Sequence, residues 1–183
     1  MRPIKICYML MFAASLTSCD FKCSVGESSG VKTKPVTSSD NTPLNGAIIK
    51  NDIELTATEV KLKEAYLVDA DYKPLAENKV PVGEKIYLVI KLDTGWVKEN
   101  GRSFIGASER IVTPQGRVVV SADDIFKEQE LTGIDVEDTK DISLSAMITE
   151  ADPGLNDFEV QFRVWDKKSK GEVKGKYSFS LKK

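Results

Sequence analysis

The sequence predicts an all-β domain, an antiparallel two-sheet sandwich of about seven strands with one short helix. Three observations predict it. Apolar residues recur at every second position in several separate stretches, the period of strands with one buried and one wetted face. Between these stretches stand Asn-Gly, Pro-Gln-Gly and Pro-Gly turn signals, which return the chain antiparallel to itself. No alternation of strand and helix patterns occurs, as a parallel sheet with crossover helices would need.

The chain opens on a different pattern. Arg2 and Lys5 precede an apolar run from Ile6 to Leu16. A transmembrane helix needs about 20 apolar residues, so this run suits the core of an export signal instead. Small residues and a cysteine close it, Leu16-Thr17-Ser18-Cys19. This resembles the lipobox of bacterial lipoproteins. The resemblance implies that residues 1–18 are removed as a signal peptide and that Cys19 carries a diacylglycerol on its sulfur. A further fatty acyl chain, such as palmitate, is usual on the new amine. Two or three chains anchor a protein firmly, at about 0.8 kcal/mol per buried methylene. The membrane, through the lipid on Cys19, is therefore an expected partner, and the cell envelope the expected location. Asp20 resembles the inner-membrane retention signal of enteric bacteria. The acidic run of surface-displayed lipoproteins is interrupted by Phe21 and Lys22. The outer membrane is favoured over the inner.

Residues 19–52 are expected to form the lipidated cysteine and a disordered tether. Ser, Thr, Gly, Lys, Asn and Pro dominate up to residue 47, and too little apolar surface is available to offset the entropy of ordering. A coil of this length spans roughly 30 Å. An edge strand over residues 44–52 is the alternative for its last part.

The folded domain is expected over residues 53–183. Its first strand is Val60–Ala70, and its second carries Ile86, Leu88, Ile90 and Leu92 on one face. Glu99-Asn100-Gly101-Arg102 suits a type I′ turn and should join Tyr87–Lys98 to Arg102–Val112 as a long hairpin. Thr113-Pro114-Gln115-Gly116 suits a type I turn leading into Arg117–Ser121. Ser121-Ala122-Asp123-Asp124 resembles a capping box, predicting one or two helical turns over Ile125–Leu131. Ile142, Leu144, Ala146 and Ile148 alternate next, then a type II turn at Asp152-Pro153-Gly154. Phe158, Val160, Phe162 and Val164 follow, then a loop at Lys167–Gly171 and a last strand with Tyr177, Phe179 and Leu181. These alternating positions are the expected core, each large one contributing about 1.5–3 kcal/mol on burial. The pattern resembles the immunoglobulin-like modules of bacterial envelope proteins, without the disulfide and core tryptophan of antibody domains.

Composition narrows the function. There are 26 Lys and Arg against 28 Asp and Glu, a net charge of −2 in which no basic patch is evident, so nucleic acid is not an expected partner. The chain contains no histidine, which excludes Ser-His-Asp and Cys-His catalysis and histidine-ligated zinc. With Cys7 lost alongside the signal and Cys19 acylated, Cys23 is the remaining thiol, so the domain has no internal disulfide. No cofactor or metal site is expected. Acidic groups at Asp123–Asp124, at Asp135, Glu137, Asp138 and Asp141, and at Glu150, Asp152 and Asp157 would make a calcium site only if their loops converged. Trp96 and Trp165 are the candidate ligand-facing aromatics, Trp165 because it is out of phase with Phe162 and Val164. The lysines at 167, 168, 170, 174, 176, 182 and 183 either meet anionic lipid or glycan or guard an edge strand.

The leading expectation is a membrane-anchored, non-enzymatic binding module that meets another envelope protein. A glycan-binding surface lipoprotein is one alternative. A carboxylate-dependent hydrolase, with two acids facing across a cleft, is the other.

Overall fold

The computed structural model describes residues 46–182. The export signal, Cys19, Cys23 and most of the expected tether lie outside the described residues.

The domain is an all-β sandwich. One sheet has the strand order β1 (Ile48–Ile49), β3 (Lys61–Val68), β5 (Lys85–Thr94), β11 (Asp141–Met147). The larger sheet runs β2 (Glu54–Thr58), β13 (Glu172–Lys182), β12 (Asp157–Asp166), β8 (Ile105–Val112), β9 (Val118–Ala122), and β4 (Lys79–Pro81) also pairs with β13. A small third sheet joins β10 (Ile134–Asp135), β7 (Arg102–Ser103) and β6 (Lys98–Glu99). The seven expected strands are all present, as β3, β5, β8, β9, β11, β12 and β13. Pairing is antiparallel except where the short strands β1 and β4 run parallel to β3 and β13.

The period-two positions form the core. Ile86, Leu88, Ile90 and Leu92 of β5, Ile142, Leu144 and Ala146 of β11, and Phe158, Val160, Phe162 and Val164 of β12 are all buried in one cluster spanning both sheets. Tyr177, Phe179 and Leu181 join them from β13, with Phe158 and Phe179 stacked at 5.6 Å between ring centres. Alternation thus assigns each strand its inner face, and burial of those faces holds the two sheets together.

Three expectations are corrected. The long hairpin is replaced by a short one: Asn100 (φ 52°) and Gly101 (φ 77°) make the two-residue turn, but it joins only β6 to β7. Both edges of β5 are already taken by β3 and β11, so β8 pairs in the other sheet. The helix is reduced to a 3-10 turn over Lys127–Gln129 with no side-chain cap. Ser121 is occupied in the β8–β9 ladder opposite Arg110, and Asp124 instead accepts from the Phe126 N–H at 3.0 Å. The folded part also begins before residue 53. Ala47 is buried, β1 pairs with β3, and Asn51 latches the segment down. The Asn51 side chain accepts from the Leu67 N–H at 2.9 Å and donates to the Leu75 carbonyl at 2.9 Å. Its own carbonyl accepts from Asn78 at 2.8 Å.

Candidate functional site on the outer face of the larger sheet

With Val160, Phe162 and Val164 turned into the core, β12 presents Glu159, Gln161, Arg163 and Trp165 on its other face. Trp165 lies opposite Gly106 of β8 and Glu172 of β13. Its indole rests directly on Gly106, where any Cβ would collide with the ring, so glycine is required by that close approach. The Arg163 guanidinium sits 4.8 Å from the ring centre, within cation–π range. Arg163 also holds Glu172 at 2.6 Å, and Lys174 approaches the same carboxylate at 2.8 Å. Hydrogen bonding from Lys174, then from Arg163, holds the Glu172 carboxyl below the usual range.

The polar rows continue along the sheet. Glu159 accepts from Gln161 at 2.9 Å and from Lys176 at 3.1 Å, and these bonds, Gln161 first, lower its pKa against the opposing effect of burial. Beyond Glu159 the face dips into an open depression of about 350 Å³. Asn78, Lys79, Pro114, Asp157 and Ser178 are among its walls. There the Ser180 hydroxyl donates to Asp157 at 2.6 Å. The face therefore carries one half-buried indole, seated on Gly106 with Arg163 over its ring, among side chains rich in hydrogen-bonding capacity and held in register by ion pairs.

The other sequence candidates are placed as follows. Trp96 is not ligand-facing: it is 8% exposed, belongs to the core cluster, and donates its indole N–H to the Thr139 carbonyl at 3.1 Å. The two tryptophans therefore do not share a surface. Among the described residues the acidic groups do not gather into a set of three or more that could hold a metal ion. Asp124 is tied to Lys167 at 2.7 Å, Glu137 to Lys140 at 2.6 Å and Asp152 to Arg117 at 2.6 Å. Much of the lysine-rich stretch is likewise ion-paired, Lys168 to Glu99 at 3.4 Å and Lys176 to both Glu54 and Glu159. Cys19 lies outside the described residues.

Two buried acids are absent from the sequence expectations, although alternation marks both. Asp166 continues the series Phe158, Val160, Phe162, Val164 and is buried. It accepts from the Val97 N–H at 2.6 Å, the Lys168 N–H at 2.8 Å and the Ser169 hydroxyl at 2.9 Å. Glu109 shares the phase of Ile105, Ala107 and Ile111 and is only 7% exposed. Burial pushes its carboxyl up to about 7. Its Oε1 and the buried Tyr177 hydroxyl have no hydrogen-bond partner among the described residues. Burial first, then the nearby Glu109 charge, raises the Tyr177 phenol well above its ordinary range.

No protein-family model matches the chain. No curated protein matches it either. Among solved structures it is similar to the C-terminal domain of Wzt, at 11% identity over 73% of this chain and 80% of that one, with a TM-score of 0.46. It is similar also to a Niemann-Pick type C2 protein from the Japanese carpenter ant, at 12% identity over 69% of this chain and 96% of that one, TM-score 0.43. A third is an immunoglobulin-like protein from Pseudomonas aeruginosa, at 14% identity over 68% and 98%, TM-score 0.38. At these identities the likeness is one of strand architecture.

Proposed function

We propose that the protein is a lipid-anchored, non-enzymatic binding module of the cell envelope, held at the outer membrane through Cys19. Its partner on this reading is another envelope protein, met by the outer face of the larger sheet. The observation that carries the anchoring is Leu16-Thr17-Ser18-Cys19 placed directly behind a short apolar core. The absence of histidine from the chain, and the commitment of Glu159, Glu172 and Asp124 to ion pairs, support binding over catalysis. Metabolic labelling with a fatty-acid analogue tests the anchor: the wild type takes up label and fractionates with membranes, whereas Cys19→Ala does neither. Equal labelling of the two would remove the proposal.

Trp165 favours a second reading, a glycan as ligand. An indole seated on the sheet beneath the exposed side chain of Arg163, with Glu172 and Lys174 alongside, has the combination that sugar rings engage, an aromatic ring beside hydrogen-bonding groups. A glycan array separates the readings. Binding that is lost in Trp165→Ala assigns the glycan, and a blank array leaves the protein partner.

A further inference from the structure

Five of the exposed large apolar residues fall in one short stretch: Val118, Val119, Val120, Ile125 and Leu131. The first three are consecutive in β9, with 42%, 41% and 44% of their surface in water. A strand that covers a core hides every second side chain, yet every position from Val118 to Ser121 is exposed. β9 is also the last strand of its sheet, paired only with β8 among the described residues. Its outer edge therefore presents backbone groups to whatever can pair with them. Edge strands are ordinarily guarded by internal lysine, proline or inward charge, and Val118–Ala122 carries none of these. A bulge at Val119, where Ile111 faces Val120 and Val112 faces Val118, is the one protective device the strand keeps.

The charges lie just outside the strand, Arg117 before it and Asp123 after it. This arrangement is self-complementary. When a second β9 is laid antiparallel with Val120 on the twofold axis, Val118 meets Ala122, Val119 meets Ser121, and Arg117 meets Asp123 of the other copy at both ends. Shifting the register by two residues in either direction breaks both charge matches, so the charges select one alignment. Arg117 is engaged with Asp152 at 2.6 Å within the chain, but both side chains are largely exposed. An exposed pair contributes little, so Arg117 can exchange that carboxylate for Asp123 of its neighbour. A twofold contact of this kind uses the same patch on both copies and closes without further growth.

We infer that β9 is a homodimerisation edge, pairing antiparallel with β9 of a second copy about Val120. The two larger sheets then run on as one, with the valines covered by their counterparts. This inference rests neither on the proposed lipid anchor nor on any ligand proposed at Trp165.

Sedimentation equilibrium on the detergent-solubilised full-length protein tests it. The wild type is expected to be a dimer with a concentration-dependent melting temperature, and Val120→Lys a monomer that keeps the wild-type circular dichroism spectrum and melts cooperatively, independently of concentration. Asp123→Arg sets like charges opposite each other and should weaken association on the order of tenfold or more. The double variant Arg117→Asp with Asp123→Arg reverses both ends together and should recover the dimer. A wild type that remains monomeric at high concentration would overturn the inference, whether the edge is covered in cis or by another protein. So would a dimer that Val120→Lys leaves intact, or one weakened by Asp123→Arg that the double variant does not restore.

Discussion

Glu109 stands in an inward-facing row whose other members are Ile105, Ala107 and Ile111, and the environment those neighbours create governs its chemistry. A carboxyl of ordinary pKa 4.5 is raised to about 7 in the folded protein by loss of water. The folded state therefore holds its proton more tightly than the unfolded chain does. Its contribution to stability is complete below the unfolded pKa and is lost as pH rises through about 7. Between pH 5 and pH 8 the wild type should lose about 2–3 kcal/mol on this account. Glu109→Gln keeps the shape without the charge, so urea denaturation should show a flatter profile over that interval and greater stability at the upper end. A slope identical to wild type would show that Glu109 is hydrated. Alternation along β8 was the signal that could have placed Glu109 inward, although that residue is absent from the sequence expectations. What the sequence did not disclose is that Tyr177, far along the chain on β13, would feel the Glu109 charge.

The final hairpin shows the same division at the level of elements. Lys167–Gly171 was legible as a loop between two strands, because a polar, glycine-ended stretch separated two alternating ones. Its clasp was not legible. Asp166 binds the loop at the Lys168 N–H and the Ser169 hydroxyl, and at the same time holds the Val97 N–H across from the β5–β6 connection. One carboxylate thus secures two connections that lie well apart in sequence. Asp166→Ala removes three part-buried hydrogen bonds to a carboxylate and should cost about 1–3 kcal/mol in chemical denaturation. Amide exchange should quicken at Val97 and Lys168 in that variant while remaining slow in the middle of β12. The helical reading of Ile125–Leu131 failed for a related reason. Its proposed cap, Ser121, is a ladder residue of β9, and a local motif yields when its residues are claimed by a longer-range pairing.

Across the whole molecule, the inner faces of both sheets could be read from period-two spacing, whereas the order of the strands could not. Periodicity says that Ile90 and Phe162 are buried; it is silent on β5 being enclosed by β3 and β11 and β12 by β8 and β13. Turn chemistry supplied the adjacent pairs, such as β8 with β9 through Thr113–Gly116, where the Gly116 N–H reaches the Thr113 carbonyl at 2.8 Å. The remaining pairs join distant segments, and three of them involve strands of only two or three residues, too short to carry a pattern. One such strand, β1, stands where the domain meets the segment that leads to Cys19. On the proposed anchoring through Cys19, every tug from the membrane would enter here. Only two residues of β1 grip β3, so Ile48 and Ile49 would peel first, releasing about 3.3–3.6 Å of slack for each residue. The strain then reaches Asn51, whose side chain and carbonyl are fastened to Leu67, Leu75 and Asn78. Anchored in that way, the join would act as a short mechanical fuse backed by a stop, lengthening under load before the core itself is asked to bear it.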